Sequence, residues 1–261
     1  MRTTTSKDGT ELAYDVSGDG PALIYITGAT CFRTFRPIAA DAEVFATEFT
    51  VYNYDRRGRG DSGNTLPYAM VREIEDIEAV VDAAGGSAIL YGHSSGAALA
   101  LEAAARLPHK IAAVAIYDAP YVHDEAERVS YAQLAEKVNA LLAADKNAQA
   151  LKVFLRGIGM PRAFIALLPL FPGWKTMKAL APTLRYDIGL TEVLPPLERF
   201  TSIDLPVLVA VGEKSPPGLH QVASQLAQAI PHATPRMLAG QNHMVSAKAL
   251  LPILREAAVN D

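Results

Sequence analysis

The chain has 261 residues, half of them hydrophobic and a fifth charged, with a formal net charge of −4, so one large α/β domain with a substantial core accommodates it. That balance excludes a disordered chain and gives no electrostatic basis for binding nucleic acid or an anionic membrane. Cys31 is the only cysteine, which excludes an internal disulfide and any multi-cysteine metal site.

In chain order, "MRTTTSKDGTELAYDVSGDG" lacks the apolar core of a signal peptide, and no later run approaches the ~18 apolar residues needed to cross a bilayer. A cytoplasmic location is the default expectation. "TELAYDV" alternates like a half-exposed strand, and "PALIYITG", "FTVYNYD", "SAILYG" and "IAAVAIYD" are short apolar runs that end at Gly or Asp, as buried strands do. Between them, "VREIEDIEAVVDAAG" places Val71, Ile74, Ile77 and Val81 at helical spacing, and Ser95 to Leu107 reads as a second helix ending before Pro108. Strand and helix alternate, which predicts a mostly parallel sheet covered on both faces.

Residues 121–201 interrupt the alternation with helical stretches and the apolar, proline-punctuated "GIGMPRAFIALLPLFPGWKTMKALAP". An insertion of this length between strands reads as a lid over a binding site, or else as a helical layer that completes the core. "DLPVLVAVG" then resumes the sheet, "LHQVASQLAQAI" is a helix, "TPRMLAG" a last strand and "MVSAKALLPILREAAV" a closing helix. The expected division is a core of residues 1–120 and 202–261 around a lid of residues 121–201.

The chemistry concentrates in "GHSSG". A G-x-S-x-G register fits only with Ser94 at its centre, between Gly92 and Gly96. A strand that turns sharply into a helix forces its nucleophile into a strained conformation, which needs small neighbours at both glycine positions. A serine hydroxyl needs a base to take its proton. Of the six histidines, His93 sits inside the turn with its side chain expected to point away from that of Ser94. His109 follows Pro108 at a helix end, His220 and His232 flank a surface-like helix, and His123 opens the insertion. His243, between the last strand and the last helix, is the favoured base. "GRGDSG" matches a dinucleotide-binding pattern only weakly, because no helix follows it and no acidic residue is placed to hold a ribose. No metal motif occurs, so no cofactor is expected.

Strand, elbow, helix, the "ITGAT" loop, the "YDRRGRGDSG" loop and the C-terminal "GQNH" together resemble the α/β-hydrolase fold superfamily over nearly the whole chain. The resemblance implies a mostly parallel eight-stranded sheet flanked by helices, with a helical lid after strand six, "IAAVAIYD". It supports His243 as base by its position. It implies an oxyanion hole built from Ser95 N–H at the helix start and Ala29 N–H, because the glycine of the family's usual His-Gly-X is kept as Gly28 while the histidine is replaced by Thr27. Cys31 then falls near the pocket mouth. The resemblance also implies that in "YDRRGRGDSG" Asp55, Arg57 and the glycines pin the turn after strand four.

The third member is open. Many relatives place the acid in a Gly-x-x-Asp loop after strand seven, but the matching stretch is Gly212, Glu213, Lys214, Ser215, and a serine cannot hold a charge against an imidazolium. Glu213 could reach from two residues away. Asp118, at the end of "IAAVAIYD", lies on the carboxyl edge of the sheet where such sites collect, and some members, including zearalenone-opening lactone hydrolases, carry the acid there. Rigid support at a strand end favours Asp118. The implied activity is hydrolysis of an ester or lactone of an apolar small molecule by a monomer or homodimer, with His123, Phe164 and Trp174 as further pocket residues, unless the lid aromatics Phe164 and Trp174 are packing residues. A C–C bond hydrolase or thioesterase would use the same elbow. A hydrolase-fold sensor with little turnover is the reading from another class.

Overall fold

A computed structural model describes residues 1–259. One eight-stranded sheet runs through the molecule in the order β1-β2-β4-β3-β5-β6-β7-β8. The strands are β1 (Arg2–Thr5), β2 (Glu11–Ser17), β3 (Ala22–Ile26), β4 (Thr50–Tyr54), β5 (Ala88–His93), β6 (Ile111–Tyr117), β7 (Val207–Gly212) and β8 (Ala233–Leu238). From β3 and β4 onward every pairing is parallel, while β2 is antiparallel to both β1 and β4. The carboxyl ends of β3 to β8 therefore share one edge.

The sheet is buried on both faces, as continuous apolar strands require. Ile24, Ile26, Leu90, Val114 and Ile116 face one cluster with helices α2 (Met70–Ala83), α3 (Ser95–Arg106) and α9 (Pro217–Ala229). Leu23, Tyr25, Ile89, Tyr91, Ala113 and Ala115 alternate to the other face, against α1 (Arg36–Phe45) and α10 (Ala247–Val259). The strand β1 and helix α1 were not evident in the sequence: β1 is four polar-leaning residues, and α1 is short and starts without a capping side chain.

One helical stripe differs in detail. On α2, Val71 is exposed, whereas Ile74, Ile77, Val80 and Val81 are buried together with Glu73 and Asp76. The two acids face inward because each meets a buried arginine.

Between β6 and β7 the chain forms α4 (Glu125–Ala143), α5 (Asn147–Gly157), α6 (Arg162–Leu167), α7 (Trp174–Ala179) and α8 (Leu184–Thr191), linked by short 3-10 turns and containing no strand. These helices enclose a third apolar cluster, which includes Leu151, Phe154, Leu180 and Leu184 and takes in Phe32 from the core. No helix among the described residues is long and apolar enough to cross a membrane.

Candidate active site

At the end of β5, Ser94 has φ 56° and ψ −128° and caps α3, a region that L-residues occupy only when surrounding structure enforces it. Packing enforces it here. A Cβ on Gly96 would lie 2.1 Å from Ile26 O and one on Gly92 2.5 Å from Gly96 O, so both glycines are required by the close approach of α3 to the sheet. The Ser94 N–H donates to Tyr117 O at 3.0 Å, tying the turn to β6. Ser95 opens the helix, so its N–H is among those that a helix leaves without an intrahelical acceptor, at the positive end of the helix dipole. Gly28 abuts the turn from the β3 side: a Cβ there would lie 2.8 Å from Ser94 Cβ.

His243 and Asp118 meet on the same edge. His243 Nδ1 lies 3.0 Å from Asp118 Oδ2, with the carboxylate fully buried and the imidazole about one-third exposed, at 32%. Two more donors converge on Asp118: Gly212 N–H at 3.1 Å and the Ser215 hydroxyl at 2.6 Å. Three donors on two oxygens suit a charged acceptor. Ser215, in the loop after β7, thus bonds the carboxylate that follows the neighbouring strand β6.

The loop bearing His243 is held by groups that sequence reasoning left without a role. His93 Nε2–H donates to His243 O at 2.9 Å and Tyr117 Oη–H donates to Asn242 O at 2.7 Å. The His93 ring lies 5.1 Å from that of His243. Burial, reinforced by the neighbouring His243, pushes the His93 imidazole down to about 4, so at neutral pH it is uncharged and keeps the proton it donates. The G-H-S tripeptide context announced a turn, and nothing local announced a partner 150 residues away.

Beneath the elbow lies a buried charge cluster. Arg56 makes a two-pronged pair with Glu73, both bonds 2.7 Å, and Arg57 does the same with Asp76. Asp187, on α8, accepts from Arg59 at 2.7 and 2.8 Å, from Arg56 at 2.8 Å and from the Ser95 hydroxyl at 2.7 Å. Burial alone would raise the Asp187 carboxyl, but Arg59 and Arg56, with the Ser95 hydroxyl, hold it below the usual carboxylate range. The same arginines reach the β3 loop: Arg59 donates to Gly28 O at 2.6 Å and Arg56 to Thr27 O at 3.2 Å. The "GRGDSG" turn itself is pinned as its resemblance implied. Asp55 accepts from the N–H groups of Arg33 and Asp61, and a Cβ on Gly60 would run into its carboxylate at 2.1 Å.

Of the other expected site residues, Glu213 turns away from the imidazole to accept from Gly240 N–H at 2.6 Å. Its carboxylate joins the loops after β7 and β8, so the reach proposed for it toward His243 is spent on a turn. Cys31 is half-buried against the second core cluster, and burial pushes its thiol up to about 11, which leaves it protonated at neutral pH. His123 bonds Gln221 on α9 and lies 3.3 Å from Glu127, at the joint between insertion and core. With Asp124 these groups bring ligand atoms within 4.8 Å of one another, although Asp124 also caps α4 through Glu127 N–H. Phe164 is exposed, its ring tilted against that of Phe171 with centroids 5.9 Å apart, while Trp174 packs on the third cluster beneath Lys152. Ala29 packs against that same cluster.

A mostly parallel eight-stranded sheet, a strained serine between strand and helix, and a buried carboxylate behind a loop histidine define an α/β hydrolase. Residues 18–256 match the alpha/beta hydrolase family, and the chain belongs to it. A solved α/β hydrolase from Sphaerobacter thermophilus DSM 20745 is 40% identical, with a TM-score of 0.86 over 98% of this chain and 100% of that one. The 2-(acetamidomethylene)succinate hydrolase of Mesorhizobium japonicum is 29% identical across 76% of this chain and 72% of its own length. The enol-lactonase of Burkholderia xenovorans LB400 shares the fold, with a TM-score of 0.76 at 19% identity over 99% of this chain and all of its own.

Proposed function

We propose that this hydrolase cleaves an ester or lactone of a mainly apolar small molecule through a Ser94 acyl-enzyme, without a cofactor. The observation that carries the reading is the 3.0 Å pairing of His243 Nδ1 with buried Asp118. With Nδ1–H committed to the carboxylate, the free Nε2 is the nitrogen that can accept a proton.

In this reading Ser94 Oγ attacks the carbonyl carbon as its proton passes to His243 Nε2, and Asp118 stabilises the imidazolium that forms. The carbonyl oxygen becomes an oxyanion, received by the N–H groups of Ser95 and Ala29. His243 returns the proton to the leaving oxygen as the carbon–oxygen bond breaks. Water, deprotonated by the same Nε2, then releases the acid and restores Ser94.

Two observations favour an uncharged, apolar substrate. Ala29 packs against the insertion's apolar cluster, and the buried guanidiniums of Arg33, Arg56, Arg57 and Arg59 are each bonded to carboxylates of the chain itself, so none of these four is free for a substrate carboxylate.

The test is a panel of chromogenic short- and medium-chain esters, lactones, a thioester and 2-(acetamidomethylene)succinate, run on wild type and Ser94→Ala with and without a serine-directed phosphonate. Turnover of neutral esters or lactones, blocked by a label on Ser94 and lost in Ser94→Ala, is expected. A label without turnover would mark a sensor instead. Absence of both label and turnover would end the serine-hydrolase reading.

A further inference from the structure

Asp187 reaches both walls of the proposed oxyanion hole, one directly and the other through Arg59, although it stands on α8 and far from Ser94 in sequence. On the helix wall its Oδ1 accepts the Ser95 hydroxyl at 2.7 Å, gripping the residue whose N–H is one proposed donor. On the loop wall it holds Arg59 through two bonds of 2.7 and 2.8 Å, and Arg59 in turn donates to Gly28 O at 2.6 Å.

The second grip has a geometric consequence. In a planar trans peptide, the carbonyl of one residue and the N–H of the next point in opposite directions. Fixing Gly28 O on Arg59 therefore fixes the direction of Ala29 N–H, the other proposed donor, away from the arginine. Arg56 does the same to the preceding peptide through Thr27 O at 3.2 Å. Gly28 approaches Ser94 so closely that a Cβ on it would lie 2.8 Å from Ser94 Cβ, so this peptide borders the proposed nucleophile and its orientation bears on the donor's aim.

We infer that Asp187, acting with Arg59, is a positioning residue that aims both oxyanion donors. This rests on the serine-hydrolase reading above. The arrangement makes the oxyanion hole depend on the seating of the insertion, since α8 supplies the carboxylate. All the groups involved are buried, with Asp187 and Arg59 each 1% exposed, and bonds of this kind are strong and directional away from water.

The test compares an ester with its thionoester, whose sulfur is a poor partner for amide donors, so the oxo-to-thiono ratio of kcat reads the oxyanion hole and is independent of how much protein is folded. Asp187→Asn, Arg59→Lys and Ser95→Ala are measured beside wild type, with rates normalised to sites titrated by the phosphonate. Ser95→Ala removes only a hydroxyl and preserves the fold even where the charge variants do not. A kcat loss of roughly 10–100-fold in Asp187→Asn and Arg59→Lys is expected, several-fold in Ser95→Ala, with KM within about threefold and the oxo-to-thiono ratio falling in parallel. If titrated sites keep wild-type kcat and an unmoved ratio, the cluster only anchors α8 and the inference is overturned while the hydrolase reading stands. A wild type that neither labels nor turns over overturns both.

Discussion

Asp118 sits at φ 49°, a left-handed conformation that short Asp and Asn side chains tolerate better than others. The kink turns its carboxylate back across β7, where Gly212, Ser215 and His243 converge on it. Asp118→Asn keeps the backbone preference and loses the charge, and kcat is expected to fall by on the order of 10³–10⁴. Glu213→Gln, which touches only the turn at Gly240, is expected to leave kcat within about twofold. Because Ser215 Oγ lies 2.6 Å from Asp118 Oδ2, the oxygen paired with His243 Nδ1, a carboxylate at position 215 would stand beside the same imidazole. Ser215→Asp added to Asp118→Asn should therefore recover at least about tenfold of the lost kcat; a double variant no better than the single would show that the two positions are not equivalent. The sequence favoured Asp118 for its rigid support at a strand end but left Glu213 open, since each follows a strand on the same edge. Only the turn at Asp118 and the bond at Gly240 separate them, and neither has a local signature.

At the scale of elements, the site is a junction of strand ends with the loop before α10. The elbow was legible because its requirements are local: an apolar strand, two glycines and a helix-forming run in immediate succession. The support of the His243 loop was not, because His93 and Tyr117 act across the sheet edge on carbonyls 150 and 125 residues away. His93 gives this junction a pH signature. Its imidazole is held at about 4, below the ordinary value near 6.5 that it regains on unfolding. Above about pH 6.5 the group is neutral in both states and its contribution is intact. As pH falls from there towards 4, the unfolded chain takes up a proton that the folded one refuses, and stability is lost. His93→Gln can still donate to a carbonyl but does not titrate. The difference in melting temperature between wild type and this variant should thus shift in favour of the variant between pH 6.5 and 4. A pH-independent difference would contradict the assignment.

For the whole molecule, the question is whether residues 121–201 behave as a separable lid or as part of one cooperative unit. Their α4 to α7 helices close their own apolar cluster, but α8 is bound into the core through Asp187 and through Tyr186, whose ring stacks on Tyr68 at 3.7 Å. The only tryptophan, Trp174, lies on α7 and reports the insertion, while far-ultraviolet circular dichroism reports the entire fold. Urea transitions followed by the two signals are expected to coincide. Asp187→Ala leaves the buried Arg59 guanidinium without a carboxylate, while Arg56 keeps Glu73, and should lower the unfolding free energy by about 3–5 kcal/mol. An early tryptophan transition in the wild type would instead mark an insertion that opens independently.

The amino-acid sequence by itself determined the alternation of strands and helices, the sharp turn at Ser94 and the place of His243 after the last strand, because periodicity and small-residue spacing are properties of neighbouring residues. Only the tertiary structure decided which carboxylate faces the imidazole, what steadies its loop and what lies beneath the loop after β3. Asp187 and Arg59 are 128 residues apart, and such a pair forms only when the sheet and the insertion have packed, since a buried charge finds its partner through the fold and not along the chain.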